Sequence, residues 1–545
     1  MRSRLGICRR RLGRSVPRRV TRRSPKLFRG PAPGLAHKDG DDRCTGQKAC
    51  FHTLLLISFL FAVLSVAPTT AMAQTSGPLS PVASPTAPRP AISGRPVDLT
   101  LAEALAIGLR DNRSIRSAYL ARIAQRFDLV VADRAFVPKL TLAVSMEAAR
   151  SGGLNGVTSS VSPTATWLAP TGAQVQFSWT RTDTREGGGS AATETTTSLN
   201  VSQPLLRGAG LGVNLAPLRI AALQEQINRL ALKSTVSETV TAVILAYRSL
   251  QQAQEQLRLA QLSAARAKSL LETNKALIDA GRMAAADIVQ TQSALASQQV
   301  AVLQAEQARN SAQFALLQLL AVDLRTNVVA SDPIKAEPVD ILLDKAIALG
   351  FDNRMDLLAQ RKALEQGRQA LIVAKNNRLW NLSAVGSVEV QRGLNSVLIP
   401  GTSVSPGTSS AIGLQLSIPI GDYTLRQADI QATIAVRTAE VQLEGLQQQV
   451  EASVRDAVQA VNLSWQGLQV ARQAQGYAAQ ALDVARQKLQ AGRASNFEVL
   501  SFEDDLRLAD SQALSAAISY LNALTTLDEQ LGTTLDTWRI NLNDE

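Results

Sequence analysis

The side chains that most often carry out chemistry in proteins are confined to the start of this 545-residue chain. Its only cysteines and histidines are Cys8, His37, Cys44, Cys50 and His52. The rest of the chain therefore has no ligands for a thiolate or imidazole zinc site, no disulfide, and neither a Cys–His pair nor a Ser–His–Asp triad. Carboxylates are the only candidate acid–base groups that remain. We therefore expect neither an enzyme nor a metal or cofactor site.

Charged residues also cluster in two short segments that share one pattern. Each segment reads Ala-Gly-Arg, and each is followed five residues after its arginine by an acidic side chain. The candidate residues are Asp279, Gly281, Arg282 and Asp287 in the first segment, and Gly492, Arg493 and Glu498 in the second. Exposed charges at a point where the chain reverses direction between two helices can bind a partner or pair with one another. The alternative is ordinary solvation of helix ends and complementation of the helix dipole.

A long helix must position the first of these segments. Between Gly212 and Gly281 there is no glycine, and the only proline, Pro217, falls in the first turn, where proline is tolerated. Apolar residues recur at three-and-four spacing, which is typical of a coiled-coil seam. The sequence predicts one helix over Leu215–Ala280, about 100 Å long at about 1.5 Å per residue. Charged residues throughout it exclude a membrane span.

This element belongs to a duplicated architecture. Asp111-Asn112-Arg113 has its counterpart in Asp352-Asn353-Arg354, an offset of 241 residues, whereas Pro204 and Pro419 differ by 215. The first copy is therefore longer between these points, in its strand region. The predicted helices are a short one at 97–136 with Asp98 as an acidic cap, a return helix at 284–320, and, in the second copy, helices at 341–374, 424–490 and 497–531.

Between the short and long helices the hydrophobic period changes from helical to alternating. Leu140, Leu142, Val144 and Met146 alternate with small polar residues, and similar strands are predicted at 174–180, 197–202, 382–390 and 412–418. Segments 151–158 and 182–195 are predicted as polar loops. Apolar-out, polar-in alternation is the weak signature of an outer-membrane barrel, although the edge of a soluble β-sandwich would show the same pattern.

The first 73 residues are typical of an export signal with a long basic leader. Thr53–Val66 forms a short apolar core, and Ala71 and Ala73 flank Met72 in a small-residue cleavage site. Cleavage after Ala73 would leave 42 basic and 42 acidic residues, so the net charge of +12 would fall to zero. A nucleic-acid partner is therefore not expected. The predicted divisions are a leader (1–73), a Pro/Ser/Ala-rich linker (74–96), a first repeat (97–325), a connector (326–339), a second repeat (340–532) and a polar tail (533–545).

The order of these elements resembles the TolC-like outer-membrane efflux protein family over about Val97–Gly532. Local matches are Val137-Pro-Lys-Leu at strand entry, Leu199-Asn-Val-Ser-Gln-Pro-Leu205 at strand exit, and the two Ala-Gly-Arg segments. The resemblance implies a mainly α fold with a transmembrane β-barrel. Its long coiled-coil helices would form a periplasmic α-barrel, and four β-strands per chain would contribute to a trimeric 12-stranded barrel.

The resemblance also implies a function and partners. The homotrimer would sit in outer-membrane lipid and export substrates of a tripartite efflux or type I secretion system. A periplasmic adaptor protein, coupled to an inner-membrane transporter, would dock at the helical tips. Asp287 matches an aspartate of the family's closing network and Glu498 an acidic-ring position. The tyrosine and arginine of that network fall on Leu489 and Ala494, so Arg282 or Arg493 would have to substitute.

Two other functions use some of the same features. A periplasmic coiled-coil adaptor or scaffold would contain similar rods but no lipid-facing strands. A carboxylate-based cell-wall enzyme would need paired acids in a concave site, whereas the acidic residues here are scattered over helix faces.

Overall fold

The computed structural model describes residues 96–151, 154–186, 191–282, 284–396 and 407–542. The predicted leader, its cleavage site at Ala71 and Ala73, and nearly all of the predicted linker lie outside these residues. The described chain contains two consecutive copies of a helix–strand–helix arrangement. None of the helices in these ranges combines the length and the apolar character that are needed to cross a membrane.

Two long helices dominate the fold. The helices of the first copy are α1 (Leu101–Asp111), α2 (Arg113–Asp133), α3 (Leu211–Asn214), α4 (Ala216–Asp279) and α5 (Asp287–Leu319). Those of the second are α6 (Leu343–Asn353), α7 (Met355–Asn377), α8 (Thr424–Gln490), α9 (Asn496–Leu531) and the short α10 (Thr534–Thr537). α4 has 64 residues and α8 has 67, so each is about 100 Å long at about 1.5 Å per residue. The two predicted rods are confirmed.

The predicted helical segment over 97–136 was wrong at its start, where the chain forms strand β1 (Val97–Leu99). The break inside this segment falls at Asn112, within Asp111-Asn112-Arg113, the triplet that the sequence marks as a break. Asp98 lies in β1 and is not the cap. Thr100 caps α1 in a reciprocal capping box with Glu103. The side chain of Asn112 accepts hydrogen bonds from the N–H groups of Ser114 and Ile115 and so starts α2.

The strands form two sheets. β1 pairs in parallel with β6 (Val328–Ala330), within the predicted connector. The strands of the large sheet are β2 (Lys139–Ser151), β3 (Leu154–Leu168), β4 (Gln174–Glu186), β5 (Ala191–Pro204), β7 (Asn381–Ser396) and β8 (Gly407–Ser417). This sheet is antiparallel, in the order β2-β3-β4-β5-β7-β8.

The described part of the large sheet therefore contains six strands, where the resemblance implied four. The two predicted polar loops, 151–158 and 182–195, are mostly strand. Segment 151–158 is rich in glycine and segment 182–195 is rich in threonine, glycine and charged residues, so both have the composition of a loop.

The large sheet has one apolar and one polar face. Residues paired across the ladder lie on the same face, and one such row runs Leu140, Ala165, Phe177, Leu199 and Val388. The opposite face carries hydroxyls that hydrogen-bond between neighbouring strands. These pairs are Ser145–Ser160 at 2.7 Å, Ser162–Thr180 at 2.8 Å and Ser178–Ser198 at 2.7 Å. The predicted alternation is confirmed.

Each copy packs its own core around the middle of its long helix. Val236, Val240 and Val243 of α4 are buried in the first core, and Val450 and Val454 of α8 are buried in the second. A short helix approaches closely in both copies. A Cβ atom on Gly108 would lie 3.2 Å from the side chain of Val243, and one on Gly350 would lie 3.1 Å from Val454. The same close approach in both copies supports the duplication.

The segment predicted as a polar tail folds back onto the first core. It contains α10, and Leu535 is buried there. Trp538, Ile540 and Leu542 pack against the same cluster. Four apolar side chains at irregular spacing gave no helical or strand period from which this packing could be predicted.

Replacing Glu529 by Gln should stabilise the protein at neutral pH. Burial and the nearby charge of Glu238 raise the pKa of Glu529, while Arg354 opposes the shift. The folded state then binds this proton more tightly than the unfolded state, so Glu529 costs stability once the pH exceeds its folded pKa. The expected gain is below about 1 kcal/mol because the site is partly solvated, and it should vanish below about pH 4.

Thermal unfolding of wild type and E529Q at pH 4 and pH 7.5 checks this difference. E272Q, at an exposed position of α4, is the matched control and should change little at either pH. An equal gain for E529Q at both pH values would contradict the electrostatic explanation.

Candidate functional site at the helical tips

The two reversals that follow the long helices have the same backbone geometry. Gly281 has φ +69° and Gly492 has φ +70°, a left-handed conformation that disfavours any residue with a Cβ. In both, the glycine N–H and the next arginine N–H donate to carbonyls of the last helical turn. The acceptors are Ile278 and Leu277, both at 2.8 Å, in the first tip, and Leu489 and Lys488, at 2.9 and 2.8 Å, in the second. This pattern is a Schellman motif, which satisfies the free carbonyls of a helix end.

Most of the predicted tip residues lie in solvent. Asp279, Gly281, Arg282, Gly492 and Arg493 are exposed, and Asp287 and Glu498 are partly buried. Asp287 is the first residue of α5, and Glu498 lies in the first turn of α9, where the hydroxyl of Ser495 accepts a hydrogen bond from its N–H at 3.2 Å. A carboxylate at these two places complements the helix dipole. The ion pairs formed among the described residues include none of the five charged ones.

A groove of about 380 Å³ separates the two tips. Of the predicted residues, the structure brings Arg282, Asp287 and Gly492 to its lining, whereas Asp279, Gly281, Arg493 and Glu498 lie outside it. Leu489 and Ala494, which the resemblance aligns with the tyrosine and arginine of a closing network, also line this groove. Arg282 and Asp287 thus share a cleft with those two positions.

A buried polar cluster beside the groove was missed by sequence reasoning. Asn274 of α4 and Thr291 of α5 are both 0% exposed, and Asn496 is 4% exposed. The Asn274 amide donates to the Thr291 hydroxyl and to the Asn496 carbonyl oxygen, both at 2.8 Å. The Asn496 amide also donates to the Thr291 hydroxyl at 3.1 Å. This cluster joins the first tip to the start of the last long helix of the second copy.

An ionic contact further up the rods ties the two copies together. Glu503 of α9 accepts a hydrogen bond from Nε of Arg266 on α4 at 3.0 Å and also pairs with Arg486 on α8. The Glu503 side chain is 14% exposed and that of Arg266 is 24% exposed, so solvent screens this pair less than a surface pair. Together with the polar cluster, this contact fixes the position of the second tip relative to the first.

Little in the sequence could have singled out the polar cluster. Asn274, Thr291 and Asn496 are far apart in the chain, and each occurs alone in a helical segment rich in polar residues. The one available signal is periodicity, because Asn274 falls four residues after Leu270, on the buried side of the seam. Within the described ranges, no group of acidic, Cys or His side chains is arranged to hold a metal ion.

Replacing Gly492 by Ala should loosen the second tip by about 1–2 kcal/mol, the cost of a left-handed residue with a Cβ. No atom lies within 4 Å of the added Cβ, so the effect is purely one of backbone conformation. G476A is the matched control, because Gly476 lies inside α8 with equally open surroundings. It should stabilise the helix by about 0.5–1 kcal/mol.

Hydrogen exchange of the amides at 488–493, combined with thermal unfolding, measures both effects. Opposite signs are expected for G492A and G476A. Destabilisation of similar size in both variants would show that the left-handed conformation is not the cause.

Known proteins resemble this chain in sequence and in fold. The sequence profile of the family described as "Outer membrane efflux protein" matches residues 107–322 and 345–533, which covers both copies. None of the curated protein sequences compared with the chain matches it significantly.

Several solved structures have a similar fold. The CmeC outer membrane channel of Campylobacter jejuni has a TM-score of 0.61 and 17% identity, with 80% of this chain and 86% of that chain covered. The MtrE outer membrane channel of Neisseria gonorrhoeae, crystallised in its open state, has a TM-score of 0.59 and 18% identity, with 80% and 89% covered. The outer membrane protein VceC of Vibrio cholerae has a TM-score of 0.60 and 17% identity, with 79% and 96% covered.

Proposed function

Because the chain belongs to the outer membrane efflux protein family, we propose that three copies assemble into one conduit across the outer membrane and periplasm. The family is one of channels and not of enzymes, and the chain is an outer membrane efflux channel. In the proposed assembly the large sheets form the membrane wall and the long helices form the periplasmic tube. The tips receive a periplasmic adaptor that couples the tube to an inner-membrane transporter.

The placement of the tips carries this proposal. α4 begins shortly after β5 ends, and its 64 residues carry the first tip about 100 Å away at about 1.5 Å per residue. α8 does the same after β8. Both reversals thus lie at the end of the molecule opposite the sheet, where an extension from the outer membrane would meet partners in the periplasm.

The tip surface has the chemistry of a docking site for a helical hairpin. Exposed charges of both signs, Asp279, Arg282 and Arg493, lie beside exposed apolar side chains. Phe497 is 70% exposed and Val289 is 63% exposed. A partner with apolar anchors and complementary charges would bury these side chains and pair the charges at the rim. Gly281 and Gly492 would allow close backbone approach.

We assign the resting closure to the groove between the tips. Arg282 and Asp287 line it together, and their opposite charges attract one another across the groove. Arg282 would thus take the place of the missing network arginine. Glu498, at the start of α9, would contribute negative charge to the aperture.

The alternative function, a periplasmic adaptor or scaffold without a membrane barrel, is not favoured. The family profile spans both copies, and the large sheet exposes an apolar face that a soluble rod would not need.

Electron microscopy of the detergent-extracted protein tests the proposed conduit. A three-fold tube with a helical section of about 100 Å, the length of the rods, is the expected result. A monomer that stays soluble without detergent, or an assembly of another symmetry, would overturn it.

Replacing Arg282 by Glu should open the resting channel. The substitution turns an attraction to Asp287 into a repulsion within the groove, and the single-channel conductance in planar bilayers should rise by about twofold for a pair worth below about 1 kcal/mol. R493E is the matched control, because Arg493 lies outside the groove, and its conductance should stay near that of wild type. Equal conductance for R282E and wild type would remove Arg282 from the closure.

A further inference from the structure

The first copy carries two strands that have no counterpart in the second. β2 and β5 correspond to β7 and β8, since each pair connects a short helix to a long one, and β3 and β4 lie between β2 and β5. We propose that all six strands lie in the membrane wall, so that three copies close an 18-stranded barrel. This inference rests on the trimeric conduit proposed above.

The extra strands have the same facial pattern as their neighbours. On β3, Val157, Val161 and Ala165 share the face of the apolar β2 residues, and on β4 Phe177 and Trp179 continue it in the half nearer the helices. In the other half of β4 the same face carries Arg181, Asp183 and Arg185. A hairpin that projected into water beyond the membrane would not need an apolar face in register with the wall. The pattern therefore favours lipid on one side of β3 and β4.

The apolar stretch also shifts steadily across the sheet. Its centre is Val144 on β2, Phe177 on β4 and Leu414 on β8. Following the ladder, Phe177 lies about four residues and Leu414 about eight residues below the level of Val144. Eight residues span about 26 Å, and five strand spacings about 24 Å, which gives a tilt of about 45°, as in transmembrane barrels. β4 falls on this progression, as a strand within the wall should.

The polar face and the turn hold the extra strands in place. The hydroxyl pairs Ser145–Ser160, Ser162–Thr180 and Ser178–Ser198 run without interruption from β2 through β3 and β4 to β5. At the helical end of the sheet, the carbonyl of Thr171 in the β3–β4 turn accepts a hydrogen bond from the Gly210 N–H at 3.1 Å. The hairpin is thus anchored at the junction with the long helices.

At each of the two open edges of the sheet, the pairing strand is supplied by a neighbouring copy of the chain. β2 and β8 are the edges of the sheet, and all residues of β8 are exposed, with Ile412 95% exposed. Unpaired backbone groups are not tolerated in hydrocarbon, so each edge needs a neighbouring strand. β2 and β8 run in opposite directions, and β8 of one copy beside β2 of the next continues the antiparallel order. Because each chain supplies an even number of strands, every junction between copies pairs antiparallel strands, and the ring can close.

The strand number sets the width of the barrel. At a tilt of about 45° and a strand spacing of about 4.8 Å, 18 strands enclose roughly 39 Å between backbones, against roughly 26 Å for 12 strands. The cross-section is therefore about 2.2-fold larger, because it scales with the square of the strand number at fixed tilt. Side chains on the inner face are mainly hydroxyls and amides, so the wall would enclose a wide, hydrated exit.

Electron cryomicroscopy of the full chain in lipid nanodiscs tests the strand number. The expected particle is a trimer with 18 strands in the wall. A second variant that lacks residues 152–186, and so joins β2 to β5 through the segment 187–190, should give a trimer with 12 strands and an inner cross-section about 2.2-fold smaller.

The possible results separate this inference from the proposed function. A wild-type trimer with 12 strands in the wall, and one hairpin outside it, overturns the 18-stranded barrel and leaves the trimeric conduit in place. A wild-type particle of two copies or one copy overturns the conduit itself. The wild-type strand count decides the matter even where the deletion variant fails to fold.

Discussion

Arginine in place of Phe177 is expected to prevent stable insertion of the channel into the outer membrane. Phe177 lies in the middle of the apolar stretch of β4, level with Ala165 and Leu199. An arginine on the lipid face of a barrel costs about 2–4 kcal/mol near the midplane, and the homotrimer would carry this cost three times. The yield of folded, heat-resistant trimer in outer-membrane fractions should fall by at least tenfold, since about 1.4 kcal/mol already corresponds to that factor.

The adjacent residue offers a matched control. Gln176 lies on the polar face, level with Thr166 and Asn200, so Q176R places the same charge on the inner side of the same strand. Its side chain can stay hydrated, and we expect a yield close to that of wild type. L142R on β2 gives the reference for a lipid-facing position.

The comparison among these three variants has a clear contrary outcome. If L142R abolishes folding while F177R is tolerated, β4 does not face lipid. If Q176R is as damaging as F177R, the defect comes from a general intolerance of arginine in the strand. Either result would contradict the assignment of the two faces.

The helical part of the fold could be predicted closely because its signals are local. α4 contains no glycine and only Pro217, in its first turn, while α8 contains glycines but no proline. The apolar spacing of three and four residues continues through both, so the two helices are predicted to within a residue or two at each end. The glycines of the two reversals mark helix ends by their own backbone preference. These features need no knowledge of the tertiary structure.

The sheet was predicted less completely because its signals depend on the environment. β3 is rich in serine and threonine, and Pro163 interrupts its pairing with β4 near the middle. A strand between lipid and water needs an apolar side chain only at every second position, and small polar residues on the other face make such a segment look like a loop. The smaller offset at Pro204 and Pro419 predicts a longer first hairpin with one additional strand, whereas the structure contains two additional strands.

The residues at the tips also include some that the sequence predicts and some that it does not. Charges close to the glycines were found from their spacing, and three of the seven predicted residues, Arg282, Asp287 and Gly492, line the groove. Asn274, Thr291 and Asn496 come together only through the packing of three helices from two copies of the repeat. No local pattern could have revealed that contact.

Replacing Asn274 by Ala should release the second tip from the first. The substitution leaves the Thr291 hydroxyl without one donor and the Asn496 carbonyl oxygen without another, both in a site closed to water. A buried polar group that loses its partner costs about 1–3 kcal/mol. The amides at the start of α9 should then exchange at least fivefold faster, since about 1 kcal/mol is a factor of about five.

A surface hydrogen bond on the same helix provides the control. Gln224 donates to Asn228 at 2.9 Å and accepts from Gln366 at 3.1 Å, both in exposed positions. Q224A therefore removes hydrogen bonds that water can replace, and exchange at α9 should stay as in wild type. The double variant N274A/N496A tests whether the two amides act together. Their coupling energy should be about 0.5–3 kcal/mol, as for residues in one hydrogen-bond network.

If the cluster holds the tips in their resting position, N274A should also raise the single-channel conductance, and N496A should raise it by a similar factor. In the proposed 18-stranded barrel the tips would be the narrowest part of the conduit, so the conductance would report on them and not on the sheet. Faster exchange with unchanged conductance would show that the cluster stabilises the tip without controlling the aperture. Unchanged exchange in N274A, or additive effects of N274A and N496A, would show that the cluster does not hold the second tip to the first.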